Sequence, residues 1–218
     1  MVRFRSISIA LVALLASQTA TAQPRAAVTE ARQSLAQFAK CLSVSKAERV
    51  NELVSLPVDS AQYRRLAQRL YETADDMCVG DGSLRYNAVL FAGALYDALY
   101  ARDFGYGGPG VFPENVASRY AGRYRTPYSA DARQAIAIEH FGECVARAEP
   151  AEARKLLLAG PGTTAEEAQF ATLKPRFQAC VVNGKTVEMS KAVIRGAVAE
   201  GLYRLSKNAS GATLGMMK

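Results

Sequence analysis

The chain has 218 residues, of which 50% are hydrophobic, and it carries a formal net charge of +7 at neutral pH. This length and hydrophobic content suffice for one substantial core or two smaller ones, so we expect a chain that folds without a cofactor. Proteins that bind nucleic acid usually concentrate lysine and arginine on one face or stripe. Here acidic residues are interspersed with the basic ones along most of the chain, so nucleic acid is not an expected partner.

The first 22 residues have the layout of a signal peptide. Arg3 and Arg5 precede a short apolar run over 7–16, and the run leads to a small-x-small pattern at 20–22. A membrane-spanning helix needs about 20 apolar residues, and no stretch of the sequence has that character. We therefore predict export by a Sec-type signal, cleavage at its end, and a mature protein that is periplasmic or secreted and does not span a membrane. Its net charge would be +5, because cleavage removes two arginines and no acid.

The rest of the chain has the pattern of a tandem duplication. An ordered set of residues recurs at an offset of 103 positions, which slips by one at the second cysteine. The first set is Phe38, Cys41, Cys78, Gly93 and Tyr100, and the second is Phe141, Cys144, Cys180, Gly196 and Tyr203. We predict helical repeats at 23–104 and 130–207, joined by a linker at 105–129 and followed by a flexible tail at 208–218.

Each repeat has the pattern of four helices, which predicts an all-α fold with about eight helices. Apolar residues recur three and four positions apart, as they do on one face of a helix. The second helix of the first repeat is predicted to begin with a capping box at Ser45 and Glu48, and the third helix to open at Ser60. The fourth helices, over 84–103 and 187–207, are apolar on nearly all sides and are predicted to lie at the centre.

Four cysteines in an exported chain indicate disulfides. They allow three pairings, and only Cys41 with Cys78 and Cys144 with Cys180 gives each repeat the same internal bond, which would join its first helix to its third. Closing a loop of this size stabilises a fold by roughly 3 to 4 kcal/mol on the chain-entropy model. A metal site is the rival interpretation. It is disfavoured because the cysteines are scattered, with no Cys-x-x-Cys pair, and the single His140 has no second histidine near it. We expect no metal and no cofactor.

One pair of acids on the central helices is the candidate catalytic site. Asp97 follows Gly93 by four positions and Glu200 follows Gly196 by four, so each acid shares a helix face with a glycine. If the two helices cross at these glycines, the acids could meet and do the general acid–base work of a hydrolase. In the alternative, which we favour, each acid binds a nearby tyrosine or arginine and fixes how the helices dock.

The linker is the candidate binding surface. Glycine and proline break its helical pattern. Its later part interleaves arginine with tyrosine, and Glu114 is the only acid of the linker. Arginine beside tyrosine can stack on rings and grip acidic groups. The candidate binding residues are Arg119, Tyr120, Arg123, Tyr124, Arg125 and Tyr128. Alternatively, the tyrosines pack this connection over the groove between the repeats and leave the arginines solvated.

The sequence contains no motif of the common hydrolases or nucleotide-binding proteins. The function that it predicts is a non-catalytic interaction module of the cell envelope or periplasm, whose partner is another envelope or secreted protein. The alternative is a hydrolase-type enzyme that uses Asp97 and Glu200.

Overall fold

The structure, a computed structural model, describes residues 22–75, 78, 87–116, 124–181 and 189–216. Within these ranges it contains eight α-helices and no strand, which confirms the all-α prediction. The helices are α1 (Ala22–Ser45), α2 (Ala47–Ser55), α3 (Ala61–Glu72), α4 (Ala88–Asp103), α5 (Ala130–Ala148), α6 (Pro150–Leu158), α7 (Thr164–Cys180) and α8 (Lys191–Met216). A single turn of 3-10 helix, Gly105–Gly107, follows α4.

Small polar side chains begin several of these helices by accepting a hydrogen bond from a free backbone N–H group. At the start of α3, the Ser60 hydroxyl accepts from the Tyr63 amide at 3.0 Å, as the sequence predicts. The other caps of this kind are Asn87 on α4, Ser129 on α5 and Thr163 on α7.

The capping box predicted at Ser45 and Glu48 is wrong. α1 continues through Ser45, and the hydroxyl of this residue donates to the carbonyl of Cys41 at 3.0 Å. α2 begins only at Ala47, after Lys46, whose side chain makes no capping hydrogen bond. Ser45 therefore belongs to the end of one helix, where serine commonly bonds back to the preceding turn.

α4 and α8 lie at the centre of the fold, as predicted, and two glycines meet where these helices cross. A Cβ atom on Gly93 would lie 2.6 Å from the Cα of Gly196, and one on Gly196 would lie 2.8 Å from the Cα of Gly93. α5 approaches α8 as closely, since a Cβ on Gly201 would lie 2.6 Å from the carbonyl carbon of Gly142. Only glycine lets these backbones come so near to each other.

The C-terminal helix is longer than predicted. α8 continues to Met216, past the expected end at Lys207, so the predicted tail is helical from 208 to 216. The side chain of Ala209 packs against the core, and the Ser210 hydroxyl donates to the carbonyl of Ser206 at 2.9 Å. These contacts extend the helix beyond the region that the apolar pattern marks.

Both predicted disulfides are present, one in each half of the chain, joining Cys41 to Cys78 and Cys144 to Cys180. The second bond joins α5 to the last residue of α7. The first joins α1 to a residue beyond α3, because α3 ends at Glu72. Among the described helices, none has the length and hydropathy that crossing a membrane requires. The signal sequence stays a prediction, since residues 1–21 lie outside the described ranges.

Candidate functional site

Two small cavities adjoin the crossing of α4 and α8, and both are lined in part by Gly93 and Gly196. The first, which we call the Asp97 cavity, has a volume of about 40 Å³. The second, which we call the Glu200 cavity, has a volume of about 30 Å³ and is also lined by Glu139. Spaces of this size accommodate about two or three water molecules.

The offset of 103 positions relates one cavity to the other. Each residue that lines the Asp97 cavity has a counterpart 103 positions away that lines the Glu200 cavity. The positions agree while the charges differ, since Arg195 corresponds to Ala92 and Glu139 to Ala36. This correspondence supports the predicted duplication, which stays a prediction.

Arg195 occupies the centre of a buried charge network beside the Asp97 cavity. It lies on α8, is only 6% exposed, and donates from Nε to Asp97 Oδ2 on α4 at 2.8 Å. Its Nη1 and Nη2 atoms donate to the carbonyls of Leu156 and Leu157 at 2.7 and 2.8 Å. Those carbonyls belong to the last turn of α6, where the helix dipole concentrates negative partial charge and favours a cation.

Glu166 completes this network from the first turn of α7. Its Oε1 atom accepts from Arg32 at 2.5 Å and from Arg195 at 3.2 Å, and its Oε2 atom accepts from the Gly162 amide at 2.8 Å. Burial alone would raise the pKa of this carboxyl, but the hydrogen bonds and the two guanidinium groups outweigh burial and lower it. The two arginines and the two acids of the network balance in charge.

The pKa of Asp97 is shifted in the opposite direction to that of Glu166. Its burial disfavours the charged form more than the Arg195 guanidinium favours it, so the pKa of Asp97 is raised. The Asp97 carboxyl nevertheless keeps its hydrogen bond to Arg195. The contacts of Asp97 are thus those of a residue that positions helices, because they join α4 to α8 and, through Arg195, to α6.

Glu200 makes a separate ion pair at the other cavity. Arg204 Nε donates to Glu200 Oε1 at 2.8 Å, and Arg204 Nη2 donates to the carbonyl of Val54 at 2.9 Å and to the Tyr96 hydroxyl. The structure therefore does not present Asp97 and Glu200 as the carboxylate pair considered from the sequence. Each acid lines a different cavity and is bound by its own arginine, because the acids extend away from the glycine crossing into different spaces.

The second half of the linker packs onto the helices. Tyr124 is buried, and its hydroxyl donates to Glu139 Oε1 at 2.7 Å. Tyr128 is half-buried against the small apolar cluster that contains Tyr124, whereas Arg125 is exposed. Two of the candidate binding tyrosines thus have the packing role of the alternative interpretation. The other candidates, Arg119, Tyr120 and Arg123, lie outside the described residues.

The first part of the linker, residues 105–111, is held against the helices and is called the 105–111 loop below. Arg154 on α6 donates to the backbone carbonyls of Tyr106, Gly108 and Pro109, and to the hydroxyl of Tyr100. The Tyr106 side chain is 83% exposed, and that of Val111 is 76% exposed. The partly buried guanidinium group of Arg154 therefore holds the backbone of a loop whose Tyr106 and Val111 side chains are exposed to solvent.

Sequence reasoning did not find Glu139, Glu166, Arg195 or Arg154 as members of a site. Arg195 gave a usable signal, since it is the one charged residue in the otherwise apolar stretch 192–199 of α8. Among the described residues, the structure contains no group of three or more histidine, cysteine, aspartate or glutamate side chains arranged to hold a metal ion.

No family model, no curated protein and no solved structure matches this chain. A function has to be inferred from the site itself.

Proposed function

We propose that the protein is a non-catalytic interaction module of the periplasm or the extracellular space, which binds another protein through the 105–111 loop. The observation that carries the proposal is the exposure of Tyr106 on a backbone that Arg154 holds in place. A loop that is ordered before binding loses little conformational entropy when it binds. Tyrosine is also enriched among the residues that dominate the free energy of protein–protein binding.

The chemistry of the loop indicates the kind of surface it would bind. Tyr106 and Val111 offer an aromatic and an aliphatic group, and the glycines between them leave the backbone open to approach. Phe112 and Val116 are buried just beyond the loop and anchor it to the core. We therefore expect a protein partner with an apolar pocket that accepts the Tyr106 ring. The two disulfides are consistent with the oxidising compartment that the proposal requires.

The small cavities and the ion pairs of Asp97 and Glu200 favour a binding function over a hydrolase function. A hydrolase would need its two carboxylates at one space large enough for a substrate, whereas Asp97 and Glu200 line different cavities of about 40 and 30 Å³. Ligand sites for small molecules usually measure about 300 to 1,000 Å³. Each acid is also held by an arginine that contacts backbone carbonyls of another helix, which is the geometry of a structural ion pair.

Site-specific photo-crosslinking tests the proposal. A benzoylphenylalanine probe replaces Tyr106 in one variant and Val44 in a matched control, because Val44 is 70% exposed and lies on α1. We expect the probe at 106 to trap one recurrent protein that the probe at 44 does not trap. The trapped protein, once purified, should bind the Y106A variant at least about tenfold more weakly than the wild type, the effect of a typical hot-spot residue.

The same affinity measurement on V44A provides the control for a general loss of surface hydrophobicity. Equal trapping by both probes, or an unchanged affinity of Y106A for the trapped protein, would contradict the proposal.

A further inference from the structure

A pocket lined by basic residues lies between α2 and α3, outside both cavities and the 105–111 loop. Its volume is about 390 Å³, and its lining is formed by Lys46, Arg49, Arg69, Leu70 and Thr73. Only one of these five side chains, that of Leu70, is apolar. We call this space the basic pocket.

The positive charge of the basic pocket is poorly compensated. Lys46 Nζ lies 3.6 Å from Asp75 Oδ1 in a pair whose two side chains are partly exposed to solvent. Across the part of the chain that the structure describes, no ion pair or side-chain hydrogen bond engages the guanidinium of Arg49 or Arg69. Among the described residues, the ion pair between Lys46 and Asp75 is therefore the only one that these three cations make.

Two helix ends of opposite polarity meet at the basic pocket, because the last turn of α3, which contributes Arg69, adds negative partial charge and the start of α2 adds positive partial charge. α2 begins at Ala47, and its N-terminal end carries the positive partial charge of the helix dipole, where acidic side chains stabilise and basic ones destabilise. Lys46 and Arg49 place two cations at this end, and Glu48 is the only acid of the first turn. An anion bound near Lys46 and Arg49 would reduce the repulsion between these two cations and the start of α2.

The other half of the chain shows that the scaffold does not require these cations. At the offset of 103 positions, Lys46 and Arg49 correspond to Glu149 and Glu152, which lie at the start of α6. Glu149 Oε1 is bound there by Arg176 Nη2 at 2.9 Å. The same place in the fold is thus acidic in one half, where Arg176 binds Glu149, and basic in the other half, where the one ion pair among the described residues is that of Lys46 with Asp75.

We propose that the basic pocket binds an oxyanion of the phosphate or sulfate class. Arg49 and Arg69 reach it from two different helices, and the planar guanidinium group binds the oxygens of such an anion in pairs. Lys46 supplies a third cation at its edge. A volume of about 390 Å³ leaves room for the anion together with part of the molecule that carries it. That molecule is either free phosphate or the headgroup of an anionic lipid.

Titration with inorganic phosphate at low ionic strength, followed by calorimetry, tests this site on the mature protein. The variant R49Q/R69Q removes the two uncompensated guanidinium groups. The control K40Q/K174Q removes the same amount of charge from exposed positions on α1 and α7. We expect saturable binding to the wild type, a loss of at least about tenfold in R49Q/R69Q, and a change within about twofold in the control.

Equal weakening in both variants, or phosphate binding by R49Q/R69Q that matches the wild type, would overturn the proposal. Circular dichroism checks that each variant is folded, and the single variant R69Q replaces the double variant if that one does not fold. Sedimentation with phosphatidylcholine vesicles that contain phosphatidylglycerol distinguishes the two sources. Vesicle binding that requires Arg49 and Arg69 identifies a lipid headgroup, and phosphate binding without vesicle binding identifies the free anion.

Discussion

Replacing Arg195 by leucine tests whether the buried charge network holds the helices together. The wild-type guanidinium bonds to Asp97, to Glu166 and to two carbonyls at the end of α6, so one substitution affects contacts to three other helices. Leucine fills part of the space but leaves the Asp97 carboxylate without its cation. It also leaves the α6 carbonyls without a donor in a place that water reaches poorly.

The expected loss follows from this geometry. Removing one partner of a buried ion pair costs about 3 to 5 kcal/mol, because the other group stays inside the protein without its partner or has to change its protonation state. Arg32 continues to compensate Glu166 at 2.5 Å, so the acid that loses its cation is mainly Asp97. For a chain of this size the melting temperature should fall by about 6 to 20 °C.

Urea unfolding with the disulfides intact measures the free energy of unfolding for R195L and for the matched control R176L. Arg176 pairs with Glu149 at a similar distance, 2.9 Å, but both side chains are 40% exposed, so the control should lose less than about 1 kcal/mol. The double variant D97L/R195L should regain at least about 0.5 kcal/mol relative to R195L, because it removes the buried carboxyl that R195L leaves without a partner. A loss in R195L no larger than that in R176L would refute a structural role for the network.

Three further substitutions test other parts of the fold. G93A should lower the free energy of unfolding by about 1 to 3 kcal/mol, because the added Cβ meets the backbone of α8, whereas G107A should change it little, since no atom lies within 4 Å of the added group. D97N should gain stability relative to the wild type as the pH rises from about 4 to 7. The raised pKa of Asp97 means that the folded state holds this proton more tightly than the unfolded state, so wild-type stability falls over that range, and a constant difference would contradict the assignment. C144S/C180S should lose about 3 to 4 kcal/mol in thermal unfolding, and no loss would show that this bond does not constrain the unfolded chain.

The sequence predicted those features that depend on local pattern or on exact recurrence. Helical periodicity predicted the all-α fold, and the recurring cysteines selected the observed pairing of Cys41 with Cys78. The apolar character of the two fourth helices predicted their central position, and the crossing at Gly93 and Gly196, considered from the sequence only as a condition, is present in the structure. In each case the physical cause lies within a few residues or in a direct comparison of the two halves.

Features that depend on distant partners could not be predicted in this way. Arg195 donates to carbonyls of α6 and to Glu166 on α7. The residue pattern of α8 contains no information about these partners, because they lie on other helices. Ser45 matched the pattern of a helix start, but α1 continues through it, and its hydroxyl donates to the carbonyl of Cys41 in the same helix. The burial of Tyr124 depends on its bond to Glu139, and composition alone does not distinguish a packed tyrosine from an exposed one.

The central claim is that the outer 105–111 loop binds a partner while the interior acids hold the helices. The most direct test compares Y106A with E200Q in affinity for the protein trapped at position 106, and in melting temperature. We predict that Y106A binds at least about tenfold more weakly with an unchanged melting temperature. E200Q should keep its affinity and melt at a lower temperature, because Arg204 loses its charged partner. Loss of binding in E200Q with full binding in Y106A would contradict the account.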